Sequence, residues 1–123
     1  GQVSEPLQKR FASPELTLPG LRDLVEAFEH AVAGGTHKSA GWSNSNYGVS
    51  KLALIAATRV LSRSELGIKV NACCPGYCDT DMTSHRGPRP PAAGARNAVC
   101  LVTCPRDQCP TGAFYQNECP SAW

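Results

Sequence analysis

Residues 45 to 64 carry apolar side chains at three-and-four spacing: Val49, Leu52, Ala53, Ala56, Ala57, Val60 and Leu61. Within a few residues the pattern changes to an apolar run, Ile68 to Cys74, stopped by Pro75 and Gly76. A helix with one apolar stripe must lay it on something, and a short apolar strand must be covered. Helix, turn and buried strand in that order read as half of a β-α-β unit, so the expected fold class is α/β. Ser43, Asn44 or Ser45 can cap the helix, and Gly67 ends the helical region.

The same periodicities place the remaining elements. From Gly20, residues Leu21, Leu24, Val25, Phe28, Ala31 and Val32 keep helical spacing, with Pro19 suited to the start and Gly34 and Gly35 to the stop. Before it, Pro6, Pro14 and Pro19 interrupt any sustained period, so residues 1 to 19 are expected to be an irregular lead-in outside the core, with a short helical turn near Leu7 to Phe11. Residues 75 to 91 read as loop. Pro90 and Pro91 can then open a helix on which Ala95, Ala98, Val99 and Val102 recur at helical spacing, and Pro105 closes it. Gly112 to Tyr115 is a second short strand candidate, ahead of a tail ending in Trp123.

No repeat, low-complexity tract or linker divides the chain. At 123 residues with 41% apolar content, one folding unit or part of one is expected. The formal charge of +2 comes from scattered side chains, 12 basic and 10 acidic, which is no footprint for nucleic acid or a membrane surface. A small or neutral partner fits better. Seven cysteines are an odd number, and no charged and apolar leader precedes them, so they are read as reduced, cytoplasmic thiols. Cys100, Cys104, Cys109 and Cys119 are separated by three, four and nine residues, which lacks the paired C-x-x-C turns of structural zinc sites, so no metal is expected. Cys73 and Cys74 read as strand-core thiols, with Cys74 able to face a cleft at the strand end. His30, His37 and His85 are dispersed and read as ordinary surface or loop residues.

Tyr47 and Lys51 lie four apart on the helix, roughly opposite the centre of its apolar stripe, so their β-carbons are neighbours about 6 Å apart. A phenol ordinarily titrates near pH 10, and an adjacent ammonium favours its anion, which suits a group that must protonate a carbonyl oxygen. Tyr-x-x-x-Lys alone is common by chance, and ordinary surface pairs look the same. The context is more specific: Ser45-Asn46-Tyr47-Gly48-Val49-Ser50-Lys51 is followed by Asn71-Ala72-Cys73-Cys74-Pro75-Gly76-Tyr77 and then Thr80-Asp81-Met82.

These segments resemble the short-chain dehydrogenase/reductase pattern, and N-A-C-C-P-G followed by T-D-M is similar to animal carbonyl reductases. The likeness extends over almost the whole chain. It implies the rear half of a doubly wound, Rossmann-like parallel sheet, helix-rich and with two short candidate strands in these residues. Residues 1–44 would be lead-in and inserted helix, 45–82 catalytic helix, strand and cofactor loop, and 83–123 substrate loop, helix, last strand and tail. It also implies reduction of ketones, aldehydes or quinones with NADPH. Tyr47 would donate the proton, and Lys51 would hydrogen-bond the nicotinamide ribose and lower the tyrosine pKa. Pro75 and Gly76 would pass close to the nicotinamide, Cys78 would offer backbone groups to its carboxamide, and Thr80 would offer its hydroxyl to the cofactor. Competing structural readings make Pro75-Gly76 only a turn and Thr80 only a cap. The inserted helix, which would cover the face through which relatives form tetramers, implies a monomer.

The family's glycine-rich phosphate loop, its N-N-A-G motif, its cofactor-selecting charges and its catalytic serine have no counterpart among these residues. Ser4 aligns after that serine, and Ser43 and Ser45 fit capping better. The absence of an initiator Met, and of a strand signal before the first helix, leads to the expectation of a truncated start and of a chain inactive by itself. The alternatives are a non-enzymatic remnant or splice product that folds on a partner, and a small cysteine-rich metal-binding domain.

Overall fold

The computed structural model describes residues 3–64 and 67–121, in two compact units, Gly1–Leu61 and Ser62–Trp123. Trp123 lies outside the described residues.

The first unit is helical: α1 (Glu5–Ala12), α2 (Leu18–Ala33) and α3 (Asn46–Ser62, whose last residue falls in the second unit). The first helix corrects the expectation of an irregular lead-in outside the core. Leu7 and Phe11, four apart on the helix, share one face and are buried, and Val3, ahead of the helix, is buried as well. Pro6 falls in the first helical turn, where a missing N–H breaks no helical hydrogen bond. Backbone pairing joins this segment to the loop before α3: the Ser4 N–H donates to the Gly41 carbonyl at 2.8 Å, and Val3 bridges Trp42. Trp42 then meets Phe11 edge-on, with centroids 6.1 Å apart, and Phe28 of α2 at 5.4 Å. Contacts of this kind contribute about 0.5–1.5 kcal/mol beyond burial.

The second helix buries Leu21, Leu24 and Phe28 of the expected stripe, leaves Val25 and Ala31 half-buried and Val32 exposed, and stops at Gly34. It begins two residues earlier than expected because the Thr17 hydroxyl accepts from the Gly20 N–H at 3.2 Å. In α3, Val49 and Ala56 are fully buried, Leu52, Ala53, Ala57 and Val60 are half-buried, and Leu61 is exposed, so the stripe is narrower than expected.

The second unit holds β1 (Ala72–Cys74), α4 (Pro91–Thr103), β2 (Phe114–Gln116) and β3 (Cys119–Pro120) in the order β1-β2-β3. β1 and β2 are parallel, with Ala72 opposite Phe114 and Cys74 opposite Gln116, and α4 lies between them in sequence. This is a β-α-β unit. β1 is shorter than the expected 68–74. Ile68 is exposed, and around Val70 and Asn71 side chains replace part of the ladder: Val70 N–H donates to Thr111 Oγ1 at 3.1 Å, and the Asn71 amide joins Pro110 O and Ala113 N. Cys73 is exposed rather than a core thiol, because neighbouring strand residues point to opposite faces. The second strand begins at Phe114, two residues later than expected, and the tail adds a third, antiparallel strand that the sequence reading lacks. Asn117 and Glu118 both take left-handed φ (53° and 63°), the turn that suits a two-residue hairpin. Pro120 sits on the edge strand, where its missing N–H costs no ladder bond.

On α4 the expected apolar face is reversed. Ala95, Ala98, Val99 and Val102 are all exposed, and Gly94 and Asn97 are the buried positions. The reason is close approach. A β-carbon at Gly94 would run into the Cys78 sulfur and press on Pro75, so only glycine lets the helix sit against the strand end. Asn97, 1% exposed, donates to the Cys74 carbonyl and accepts from the Glu118 N–H, both at 2.6 Å.

Candidate active site

Tyr47 and Lys51 belong to the first unit; Pro75, Gly76, Cys78 and Thr80 belong to the second.

The start of α3 sets the pair. Ser45 Oγ accepts from the Gly48 N–H at 3.0 Å, and the Ser45 carbonyl accepts the Val49 N–H at 3.0 Å, so of the three candidate caps Ser45 closes the first turn. Ser43 Oγ accepts from the Ser45 N–H at 3.1 Å, and Asn44 Oδ1 is held by His37 Nε2 at 2.9 Å. With Val49 turned inward, Tyr47 faces solvent at 70% exposure. Lys51 Nζ stands 5.4 Å from the centroid of its ring, within cation–π range.

In the second unit Pro75 and Gly76 leave the carboxyl end of β1, the end of a parallel sheet beyond which ligands bind in doubly wound folds. Gly76 has φ +79°, a left-handed value, and a β-carbon there would come within 2.7 Å of the Arg89 guanidinium. Arg89 in turn donates to Asn117 Oδ1 at 3.0 Å. Cys78 is buried, with Sγ donating to the Pro75 carbonyl at 3.3 Å, and it bridges Arg89, whose carbonyl accepts from the Asp79 N–H at 2.7 Å. Thr80 precedes a 3-10 turn, Asp81–Thr83, and its N–H donates to Thr83 Oγ1 at 3.1 Å. Thr83 Oγ1 also donates to the Cys78 carbonyl at 2.6 Å.

Three features of this unit escaped the sequence reading. His85 is clamped between two carboxylates, Nδ1 at 2.7 Å from Asp79 and Nε2 at 3.0 Å from Asp81, which holds a turn where Ser84 and His85 both have left-handed φ. Arg89 over Gly76 has no local sequence signal, since the two are far apart in the chain. Asn97 had one: a polar residue three after Gly94 on a helix marks a face that does not follow the apolar stripe. Among the described residues no three His, Cys, Asp or Glu side chains gather as a metal site, and no helix is long and apolar enough to cross a membrane.

A family model described as enoyl-(acyl carrier protein) reductase, of the short-chain dehydrogenase/reductase type, matches residues 31–100, more than half of the chain. The chain belongs to the short-chain dehydrogenase/reductase family. Within the family it is similar to carbonyl reductase (NADPH) 3 of Homo sapiens, 38% identical over 98% of this chain and 46% of that protein. It is 37% identical to carbonyl reductase (NADPH) 3 of Rattus norvegicus, over 98% and 46%, and 34% identical to carbonyl reductase (NADPH) 1 of Sus scrofa, over 99% and 45%. The chain therefore spans about half the length of the curated relatives it matches. Among solved structures, salutaridine reductase from Papaver somniferum superposes with a TM-score of 0.82 at 27% identity, covering 93% of this chain and 40% of that one. The family fold accounts for the parallel β1-α4-β2 arrangement, and the expected α/β, doubly wound class holds.

Proposed function

We propose that this chain carries the proton-delivering part of an NADPH-dependent carbonyl reductase, acting on ketones, aldehydes or quinones. The observation that carries the reading is the exposed Tyr47 with Lys51 Nζ 5.4 Å from its ring, on a helix of a family member. NADPH, when bound, supplies hydride to the carbonyl carbon. Tyr47 holds the proton at its phenolic oxygen and delivers it to the carbonyl oxygen. Lys51, one turn further along, binds the ribose hydroxyls and steadies negative charge at that phenol. Pro75 and Gly76 give a backbone turn with no side chain at the glycine, where the Arg89 guanidinium now lies, so a flat ring would pass close there in place of that guanidinium. Cys78 backbone groups orient the carboxamide, and the Thr80 hydroxyl holds the cofactor. Residues 1–123 are read as the carboxy-terminal part of one such domain, monomeric and cytoplasmic.

Dinucleotide affinity in doubly wound folds rests on a glycine-rich turn that aims backbone N–H groups at the pyrophosphate. No such turn is among these residues. The 123 residues alone are therefore expected to show no micromolar NADPH affinity in a fluorescence titration and no sustained carbonyl-dependent NADPH oxidation; both together would overturn this part of the reading. The catalytic assignment is tested in a chimera that places a carbonyl reductase front half before residue 1. Tyr47→Phe should lower its turnover by about 10² to 10⁴, the usual contribution of a positioned acid. Lys51→Ala should lose both rate and cofactor affinity. Near-normal turnover of Tyr47→Phe would sink the assignment. A second reading, a non-enzymatic segment that folds on a partner, draws on the exposure of Met82 (91%) and Val102 (85%); an active chimera would exclude it.

A further inference from the structure

Within the first unit, α2 and α3 leave a gap between them. On α2, Val25, Phe28, Glu29 and Val32 recur at three-and-four spacing and so share one face; on α3, Asn46, Val49, Ser50 and Ala53 do the same. These two faces, with Ala33, line one cavity of about 580 Å³. Ser50 and Ala53 are too short to reach across it, and the Phe28 ring is engaged with Trp42, 5.4 Å between centroids, so the space stays open. Its size falls within the range of about 300–1,000 Å³ common for small-molecule sites.

The walls are apolar apart from Glu29, Asn46 and Ser50, and no Lys, Arg or His is among the described lining residues. Glu26, nearby on α2, has Arg22 at 3.6 Å, whereas the Glu29 carboxylate and the Asn46 amide have no hydrogen-bond or ion-pair partner among the described residues. The Ser50 hydroxyl already donates to the Tyr47 carbonyl at 2.8 Å, so what it offers a ligand is its lone pairs. All three polar side chains therefore present acceptor oxygens, one of them charged. We propose that this cavity binds a small organic cation, an ammonium carried on an aromatic or aliphatic body. The body fills the space between the helices. The ammonium stands at the rim and donates to the Glu29 carboxylate, with Asn46 Oδ1 and Ser50 Oγ as further acceptors. An anion of the same shape meets the charge of Glu29, and a neutral molecule gains the walls alone. The site is independent of the carbonyl reductase reading, because none of its residues is assigned to cofactor or substrate there.

Glu29 is exposed, so water and salt screen its charge and it contributes selectivity more than affinity. Most of the affinity comes from covering the apolar walls, among them the exposed Val32 and the half-buried Val25 and Ala53.

The test titrates the 123-residue chain, and the chimera with a carbonyl reductase front half, with three probes of one shape: phenylbutylamine, phenylbutanol and phenylbutyrate. Binding is read by calorimetry and by amide shifts in two-dimensional NMR. In both proteins the amine should bind tightest and the carboxylate weakest, with saturable shifts centred on the cavity residues of α2 and α3. The preference for the amine over the alcohol should shrink as salt is added. Glu29→Gln should weaken the amine by about two- to fivefold, the worth of an exposed ion pair, and leave the alcohol unchanged. Ala53→Leu should fill the space and weaken amine and alcohol alike, with the helical circular dichroism retained. The proposal is overturned by equal affinity for amine and alcohol, by amine binding that Glu29→Gln leaves intact, by shifts centred outside the two helices, or by no saturable binding. It is also overturned if the groove has another occupant: the front half, shown by loss of amine binding in the chimera, or a second copy, shown by a sedimenting dimer that Ala53→Leu disperses.

Discussion

One buried amide, Asn97, holds together the ends of two segments that are distant in the chain. Its two 2.6 Å hydrogen bonds join the Cys74 carbonyl at the end of β1 to the Glu118 N–H in the β2–β3 turn. Neither partner has a neighbour in sequence that could replace it. Asn97→Ala is expected to destabilise the chain by about 1–3 kcal/mol, the usual consequence of leaving buried polar groups unpaired. It would be read as a lower urea midpoint with an unchanged slope. An unchanged midpoint would mean that water replaces the amide and that the two strand ends do not depend on it. The dyad residues contrast with this one. Tyr47 and Lys51 were legible from their spacing because a helix makes residues four apart neighbours wherever it packs. The partners of Asn97 were not, because only the folded chain brings 74 and 118 to it.

At the scale of the element, α4 departs furthest from its periodicity. Its existence and limits follow from the proline start and the apolar spacing, but the face it buries does not. The helix turns Gly94 and Asn97 toward β1 and leaves Val99 and Val102 outside. Val102→Lys, at 85% exposure, should therefore move stability by less than about 0.5 kcal/mol. Gly94→Ala should destabilise, by about 1–3 kcal/mol from overpacking, although alanine is the better helix former by up to about 1 kcal/mol. Thermal or urea unfolding of the two variants separates the faces; a costly Val102→Lys with a neutral Gly94→Ala would reverse the assignment. The first helix shows the opposite lesson. Prolines read as interruptions proved compatible with it because Pro6 falls in a first turn, and the spacing of Leu7 and Phe11 carries the signal.

At the scale of the whole chain, Tyr115 of β2 is expected to give a pH response. Partial burial, followed by Cys100, Cys104, Cys109 and Cys119, pushes the Tyr115 phenol above its ordinary value. The unfolded phenol ionises first as pH rises, near 10 for a free tyrosine, so between the ordinary and raised values the folded state holds the extra proton. The stability contributed is complete below the ordinary value and is lost as pH climbs through the raised one. Urea midpoints across the alkaline range should fall, and Tyr115→Phe should flatten the part of the fall that begins at the tyrosine value. A profile unaltered by that substitution would remove Tyr115 from the account.

Periodicity and motif order alone determined the α/β class, the helices over 20–32 and 45–64, the α4 segment and the Tyr47–Lys51 pair, because each rests on contacts within a few residues along one element. The length of β1, the third strand, the buried face of α4 and the pairing of Arg89 with Gly76 were decided by tertiary structure. Each depends on which surface arrives opposite a given residue, and on a glycine that admits close approach because it lacks a β-carbon and an asparagine amide that bridges two segments. Hydropathy along the chain carries no trace of such a partner until the fold supplies it.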